Sequence, residues 1–143
     1  MNIRIIPHNS NEYEQMIALR FTELLTPIGI PASYIEKEKE KYDILIGAFE
    51  NNELIGCCVL SPKNDEIIQL RQMAVKTNYK GRGIGTAIIE FAEKVAKENN
   101  YAMLMMHARN GVIEFYKKNG YHISGSEFFE VGIGHHKMQK QIL

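Results

Sequence analysis

The sequence has no excess of charge of either sign. Lysine and arginine together number 17, as do aspartate and glutamate, so the net charge is zero. Proteins dedicated to binding nucleic acid carry a basic excess. We therefore expect no nucleic-acid partner.

Long apolar runs are also absent. None approaches the roughly 18 residues that a membrane-spanning helix needs. The start of the chain, MNIRIIPHNS, lacks the apolar core of a signal peptide. We expect a cytoplasmic protein with no membrane partner.

Cysteine is scarce. The only two, Cys57 and Cys58, are neighbours on a predicted strand, so their side chains should point to opposite faces of the sheet. They should neither form a disulfide nor share a metal, and we expect two small buried apolar side chains and no metal site. With 143 residues and no internal repeat, residues 1–143 are expected to form one domain.

The most informative stretch is QMAVKTNYKGRGIGTAII, residues 72–89. An apolar strand leads through a polar turn into three glycines and then a helix. The helix start offers unpaired N–H groups and the positive end of its dipole, and glycines let the backbone approach a ligand closely. Lys80 and Arg82 add positive charge. This pattern predicts a phosphate site around the glycines, which are Gly81, Gly83 and Gly85.

The glycine spacing narrows the class of phosphate ligand. No Gly-Lys-Ser/Thr follows, as a P-loop would require, and the G-x-G-x-x-G dinucleotide pattern is missing. These absences disfavour another kind of nucleotide binder. Residues 80–85, KGRGIG, resemble instead the acyl-CoA pyrophosphate loop of the GCN5-related N-acetyltransferase (GNAT) family, Arg/Gln-x-x-Gly-x-Gly/Ala. Lys80 stands at the Arg/Gln position.

The hydrophobic pattern predicts the remaining elements. In the first part of the chain we expect a strand at 2–6, a helix capped by Ser10 or Asn11 that runs to about 25, and a short helix from a capping box at Ser33–Glu36 to about Lys41. The alternating charges from Glu36 to Lys41 predict a solvated helix face. A hairpin with turn Asn51-Asn52 then joins two strands.

The second part of the chain contains the predicted central elements. The hairpin strands are expected at 42–50 and 53–61, and two further strands at 67–75 and 101–109. The expected helices are 83–98 and 111–119. Asn110 is expected mainly as the cap of the last helix and Gly120 as its end. Segments 121–126 and 130–142 should close the sheet as a hairpin.

This order of elements resembles the GNAT layout, and a second motif supports the resemblance. Residues 115–121, FYKKNGY, are similar to the family's F-Y-x-K-x-G-F/Y segment. The fold implied is α/β (α+β), with a mixed, mostly antiparallel twisted sheet flanked by helices and splayed between the fourth and fifth strands. Segments 16–20, 71–75 and 130–138 resemble the bacterial ElaA-like subgroup.

The resemblance implies an N-acetyltransferase that moves an acetyl group from acetyl-CoA directly to a primary amine of a small molecule, protein or peptide. The pantetheine arm would lie between strands 67–75 and 101–109. A cofactor contact from Asn110 is a lesser expectation, because Arg109 stands where many members carry an asparagine. The other cofactor contacts would be Met73, Ala74, Val75, Lys80, Gly81, Arg82, Gly83, Ile84, Gly85 and Thr86.

Tyr116 stands at the position of the family's general acid, which would protonate the leaving thiolate; the alternative is that it only packs against the cofactor arm. A base or a water relay must also deprotonate the amine. The candidates are His107, Glu130, His135 and His136, of which Glu130 and His135 are the expected substrate residues. A non-catalytic acyl-CoA binding or sensing module is the alternative function. A homodimer is compatible with the sequence.

Overall fold

An eight-stranded sheet forms the centre of the molecule, in a computed structural model that describes all 143 residues. The strands lie in the order β1-β2-β3-β4-β5-β8-β6, and β7 also pairs with β8. Only β4 and β5 run parallel. The predicted mixed, mostly antiparallel sheet is confirmed. Its strands are β1 (Asn2–Ile6), β2 (Ile44–Glu50), β3 (Glu53–Pro62), β4 (Ile67–Val75), β5 (Met103–Arg109), β6 (His122–Ile123), β7 (Phe128–Glu130) and β8 (Ile133–Gln141).

Helices cover both faces of the sheet. Helix α1 (Asn11–Arg20) packs on one face, where Met16 and Leu19 share a core with Cys57. Helices α2 (Ile84–Glu98) and α3 (Ile113–Lys118) pack on the other face, and Cys58 belongs to that core. The prediction that the two cysteines face opposite ways is confirmed, and both are free and buried.

The strands β4 and β5 separate soon after they meet. Their pairing covers only residues 67–69 against 103–105, although β4 continues to Val75 and β5 to Arg109. The predicted splay between the fourth and fifth strands is therefore confirmed. The two strands diverge towards the start of α2, which leaves an opening in the sheet at that end.

The first connection differs from the prediction. Ser10 is the N-cap of α1, since its hydroxyl accepts a hydrogen bond from the Tyr13 N–H at 3.2 Å. The helix ends at Arg20 and a π-helical turn completes it to residue 25. The prediction of a capping box at Ser33–Glu36 is wrong, because Ser33 lies inside a 3-10 turn, Ala32–Tyr34, and caps no helix.

The predicted solvated face at residues 36–41 is also wrong in one respect. The segment forms a 3-10 turn, Lys37–Glu40, and Glu40 is buried in it. The alternating charges looked typical of a surface. The partner that stabilises Glu40 lies on α1, twenty residues away along the chain, where no local pattern reveals it.

The end of the chain contains two further corrections. A 3-10 turn, Asn110–Val112, precedes α3, and the Asn110 side chain does not cap the helix. It donates to Glu127 at 2.6 Å and contacts His136 at 2.8 Å instead. Segments 121–126 and 130–142 do not form one hairpin, because β6 and β7 pair with different parts of β8. The hairpin is β7–β8, with its turn at residues 131–132.

None of the helices combines the length and apolar character needed to cross a bilayer. No group of three or more histidine, cysteine, aspartate or glutamate side chains is arranged to hold a metal ion.

Candidate active site

A cavity of about 780 Å³ occupies the opening between β4 and β5. Its walls come from β4, the glycine loop with the start of α2, the end of β5, and α3. The π-helical turn after α1 adds a wall beside the glycine loop, where Glu23 contacts Lys80, and the β7–β8 hairpin lines the other end. The cavity thus joins the predicted phosphate site to the histidine-rich end of the sheet.

The glycine loop has the backbone that its sequence predicts. Gly81 and Gly83 both have φ of +79°, in the left-handed region, and a Cβ at either would meet no atom within 4 Å. Gly83 immediately precedes α2, and no side chain caps that helix. The first N–H groups of α2 are therefore available to a ligand at the cavity wall.

Lys80 and Arg82 have different surroundings. Lys80 Nζ lies 3.2 Å from Glu23 Oε1, and Glu23 also accepts hydrogen bonds from the Thr77 hydroxyl at 3.0 Å. Burial opposes ionisation of Glu23, but these hydrogen bonds and the Lys80 charge outweigh it, so the pKa of Glu23 is lowered. Arg82 lies over the ring of Tyr79, 5.0 Å from its centre. The loop charge is thus partly neutralised by Glu23.

Strand β4 contains a bulge beside the cavity. Arg71 pairs with Val59 and Ala74 with Cys57, so Gln72 and Met73 together lie opposite one residue of β3. Beyond the bulge, the Lys76 N–H donates to Ile55 O at 2.8 Å. Because backbone groups alternate in direction along a strand, those of Val75 face the opposite edge, which β5 has left open.

Tyr116 lies on α3 and lines the cavity. Its ring packs edge-on against Phe115, with centroids 5.2 Å apart, and against Tyr121, at 6.1 Å. Burial, with a smaller contribution from Cys58, raises the pKa of its hydroxyl above the usual value. The phenol is therefore neutral and carries a proton at neutral pH.

Glu130 lies between two histidines at the far end of the cavity. His107 Nδ1 is 3.1 Å from Glu130 Oε1, and His135 Nε2 is 3.7 Å from Glu130 Oε2. His135 Nδ1 lies 2.7 Å from the Ile133 carbonyl oxygen, to which it must donate. When the ring is neutral, Nε2 therefore has the free lone pair. Phe128 stacks on His135.

The structure brings most of the predicted site residues to one cavity and leaves two outside. Arg82 and Asn110 do not line it, and neither does the base candidate His136, whose side chain contacts Asn110. The lining also includes Glu23, Gln72 and Arg109, which the sequence did not single out. Nothing local in the sequence marks Glu23 or Gln72 as site residues. The predicted residues in the lining are Met73, Ala74, Val75, Lys80, Gly81, Gly83, Ile84, Gly85, Thr86, Tyr116, Glu130 and His135, together with the base candidate His107.

Known proteins resemble this chain in sequence and in fold. The model of the acetyltransferase (GNAT) domain matches residues 11–142. The chain is 25% identical over 137 residues to YjcF of Bacillus subtilis strain 168, described as an uncharacterized N-acetyltransferase, and the match covers 95% of this chain and 97% of that protein.

Solved structures agree in fold. A crystal structure of aminoglycoside 6'-N-acetyltransferase complexed with coenzyme A has a TM-score of 0.85 and 19% identity, covering 100% of this chain and 98% of that one. The Escherichia coli ElaA structure has a TM-score of 0.84 and 15% identity, covering 98% and 99%. At these identities the likeness concerns the fold alone.

Proposed function

The chain belongs to the GNAT acetyltransferase family, and from this premise we propose that its cavity holds acetyl-CoA while a primary amine attacks the thioester directly. The chain is thus an acetyl-CoA-dependent N-acetyltransferase. The observation that carries the assignment of the site is the cavity, which runs from the glycine loop, along the open edge of β4, to Glu130.

The two ends of the cavity suit the two substrates. At one end, the free N–H groups at the start of α2 and the left-handed glycines suit the phosphates of CoA. Between the strands, the open edge at Met73–Val75 can bond to the pantetheine arm as an added strand would. In this arrangement the thioester would lie beside β4, near Tyr116 and towards the histidines.

The proposed reaction forms one bond and breaks one. The amine nitrogen attacks the thioester carbon, the carbon–sulfur bond breaks, and the thiolate of CoA leaves. Tyr116 gives its proton to this thiolate, and the nitrogen loses a proton to a base. An ordinary phenol has a pKa of about 10 against about 8.5 for a thiol, and burial raises the pKa of Tyr116 further. The transfer therefore needs the thiolate to form in a poorly solvated site, where its own affinity for a proton rises and a neighbouring proton donor stabilises it.

The side chains at the histidine-rich end of the cavity suit an acceptor amine that is cationic in solution. The carboxylate of Glu130 can attract an ammonium group, and the free Nε2 of His135 can accept its proton. An amine with a pKa of about 10.4 is neutral in only a small fraction of molecules at neutral pH, so such a base raises the reactive fraction. Both small-molecule amines and peptide amines meet this requirement.

We also propose that residues 1–143 act as one cytoplasmic domain. Both cores share a single sheet, one on each face, which supports one folding unit. The two cysteines are free, which supports a reducing environment.

The test is turnover of acetyl-CoA with a panel of amines that includes a diamine, an aminoglycoside and a lysine peptide. Mass spectrometry should find an acetylated amine and free CoA in equal amounts. Calorimetry should find binding of CoA but not of ATP or NAD. Tight CoA binding without acetylation of any amine would favour the non-catalytic module, and binding of ATP or NAD in place of CoA would contradict the site assignment.

A further inference from the structure

Gln72 has a backbone conformation that its residue type rarely adopts. Its φ is +54°, in the left-handed region, which non-glycine residues seldom enter. It also begins the bulge of β4 at the cavity wall. Such a conformation persists only where the surrounding structure stabilises it. The contacts of Gln72 therefore help to determine the shape of the cavity beside the thioester.

A buried arginine contacts the Gln72 side chain. Arg20 Nε donates to Gln72 Oε1 at 3.3 Å, and Arg20, at the end of α1, is only 1% exposed. On the other side, the Cys57 thiol lies 3.7 Å from the Gln72 carbonyl oxygen, to which it donates weakly. Both the side chain and the backbone of Gln72 are thus restrained.

Glu40 in turn fixes Arg20. The guanidinium donates from Nη1 to Glu40 Oε1 at 2.9 Å and from Nη2 to Oε2 at 2.5 Å, and the Tyr13 hydroxyl adds a bond to Oε1 at 2.6 Å. A two-pronged pair of this kind fixes the plane of the guanidinium. That plane aims the third donor, Nε, at Gln72.

The cost of burying this pair makes a purely stabilising role a weak explanation. Removing two charges from water offsets most of their attraction, so a buried ion pair contributes little net stability compared with apolar side chains of similar volume. What apolar side chains could not supply is the directed donor to Gln72. The pair is thus suited to fixing the geometry of the bulge.

We propose that Arg20 and Glu40 are positioning residues, which act through Gln72 to fix the β4 backbone that receives the thioester carbonyl of acetyl-CoA. The inference rests on the function proposed above. A bulge re-aims the residues that follow it, here Met73, Ala74 and Val75. Donors that stabilise the charge developing on a carbonyl oxygen must be fixed before the reaction. The ion pair supplies that fixation from the opposite face of the sheet.

Two substitutions of Gln72 separate positioning from general stability. Gln72→Ala removes the contact with Arg20 and leaves a residue that disfavours left-handed φ. Gln72→Gly removes the same contact, but glycine adopts this φ without support. The probe is acetyl-CoA with a carbon-13 label at the thioester carbonyl, whose chemical shift moves downfield when the oxygen accepts a hydrogen bond.

The expected result is a difference between these two variants. With wild-type protein the bound carbonyl signal should lie downfield of free acetyl-CoA. Gln72→Ala should lose most of this displacement, whereas Gln72→Gly should keep most of it. The signals are compared at saturating acetyl-CoA, so that a change in affinity for the pantetheine arm does not enter the comparison. A Gln72→Ala signal that coincides with wild type overturns the proposal. The proposal is also overturned if the Gln72→Gly signal moves away from wild type as far as the Gln72→Ala signal does.

A double variant tests the ion pair itself. Arg20→Met with Glu40→Met replaces two buried charges by apolar side chains and leaves neither charge unpaired, so the protein should fold. Its melting temperature should be somewhat lower, because the buried Tyr13 hydroxyl loses its acceptor. Its carbonyl signal should move as in Gln72→Ala. A folded double variant with the wild-type signal overturns the proposal, and if it does not fold, the two Gln72 variants still decide. If acetyl-CoA does not bind to wild-type protein, the proposed function itself is wrong.

Discussion

The ring of Phe115 occupies the space that a side chain at Gly85 would need. A Cβ on Gly85 would lie 2.9 Å from Phe115 Cζ. Phe115 and Gly85 belong to the two motifs that carry the family resemblance, and their contact packs α3 against the start of α2. A substitution at Gly85 would therefore disturb packing as well as the ligand site, whereas Gly81 and Gly83 have open space around them.

Gly83→Val should weaken CoA binding with little further effect on the fold. The valine side chain would project from the loop where the phosphates are proposed to bind, and left-handed φ costs a non-glycine residue about 1–2 kcal/mol. We expect a loss of CoA affinity of tenfold or more, about 1.4 kcal/mol, measured by calorimetry. Gly125→Val is the matched control, since Gly125 also has positive φ and open space but lies outside the cavity lining. Equal CoA affinities in the two folded variants would contradict the loop assignment.

Tyr116→Phe should lower the rate of the chemical step. The substitution keeps the ring that packs against Phe115 and Tyr121 and removes only the hydroxyl, so folding and CoA affinity should barely change. General acid catalysis typically raises a rate by a factor of about 10²–10⁴, and we expect kcat to decrease by a factor in that range. A single-turnover experiment avoids masking by slow product release. If the rate falls by no more than about twofold, which is far less than general acid catalysis contributes, then water protonates the thiolate and Tyr116 only packs.

His135→Gln should affect the acceptor and not the cofactor. Glutamine retains polarity and removes the proton-accepting Nε2, so kcat should fall or the acceptor KM should rise, while CoA affinity stays the same. His136→Gln is the control, since His136 contacts Asn110 outside the cavity lining. A fall in CoA affinity for His135→Gln would place this residue on the cofactor side or in the fold.

Glu40 should make stability depend on acidic pH. Burial tends to raise the pKa of its carboxyl, but hydrogen bonds from Arg20 and the charge of Arg20 outweigh burial, so the pKa is lowered in the folded state. The stabilisation is fully present above the unfolded pKa of about 4.3 and is lost as pH falls through the lower folded pKa.

The measurement is the free energy of unfolding by urea across this acidic range, for wild type and for Arg20→Met with Glu40→Met. The wild type should lose more stability on acidification, since the double variant lacks the carboxyl. Asp43, whose pKa is raised chiefly by burial, is present in both proteins, and only the smaller contribution of the Glu40 charge to that pKa differs between them. Parallel pH curves would contradict the lowered pKa of Glu40.

The backbone of the glycine loop was predictable because its determinants are local. A strand, three glycines and a helix start specify their own backbone, and the structure has Gly81 and Gly83 in left-handed conformations next to α2. Glu40 was not predictable, because its burial depends on Arg20. Alternating charge in a short segment is typical of a surface, and only the tertiary fold brings the two side chains together.

The histidine-rich end of the cavity was predictable only as a set of residue types. His107, Glu130, His135 and His136 were all candidates in the sequence, with Glu130 and His135 preferred, and strand pairing shows which of them lie together. The β7–β8 hairpin places Glu130 beside His107 and His135, while His136, next in the strand, contacts Asn110 instead. The bulge at Gln72 left no signal, since nothing in the local sequence indicates a residue with positive φ.

The burial of the two cysteines has a practical consequence for enzymology. Burial raises the pKa of the Cys57 thiol to about 12 and raises that of Cys58 well above its usual value. Neither side chain has any accessible surface, and the thiolate is the reactive form of cysteine. In the native protein a reagent such as Ellman's disulfide should therefore find no target. The sulfhydryl of released CoA would then be the only one to react, so its colour reaction can follow acetyl transfer continuously without a background from the enzyme.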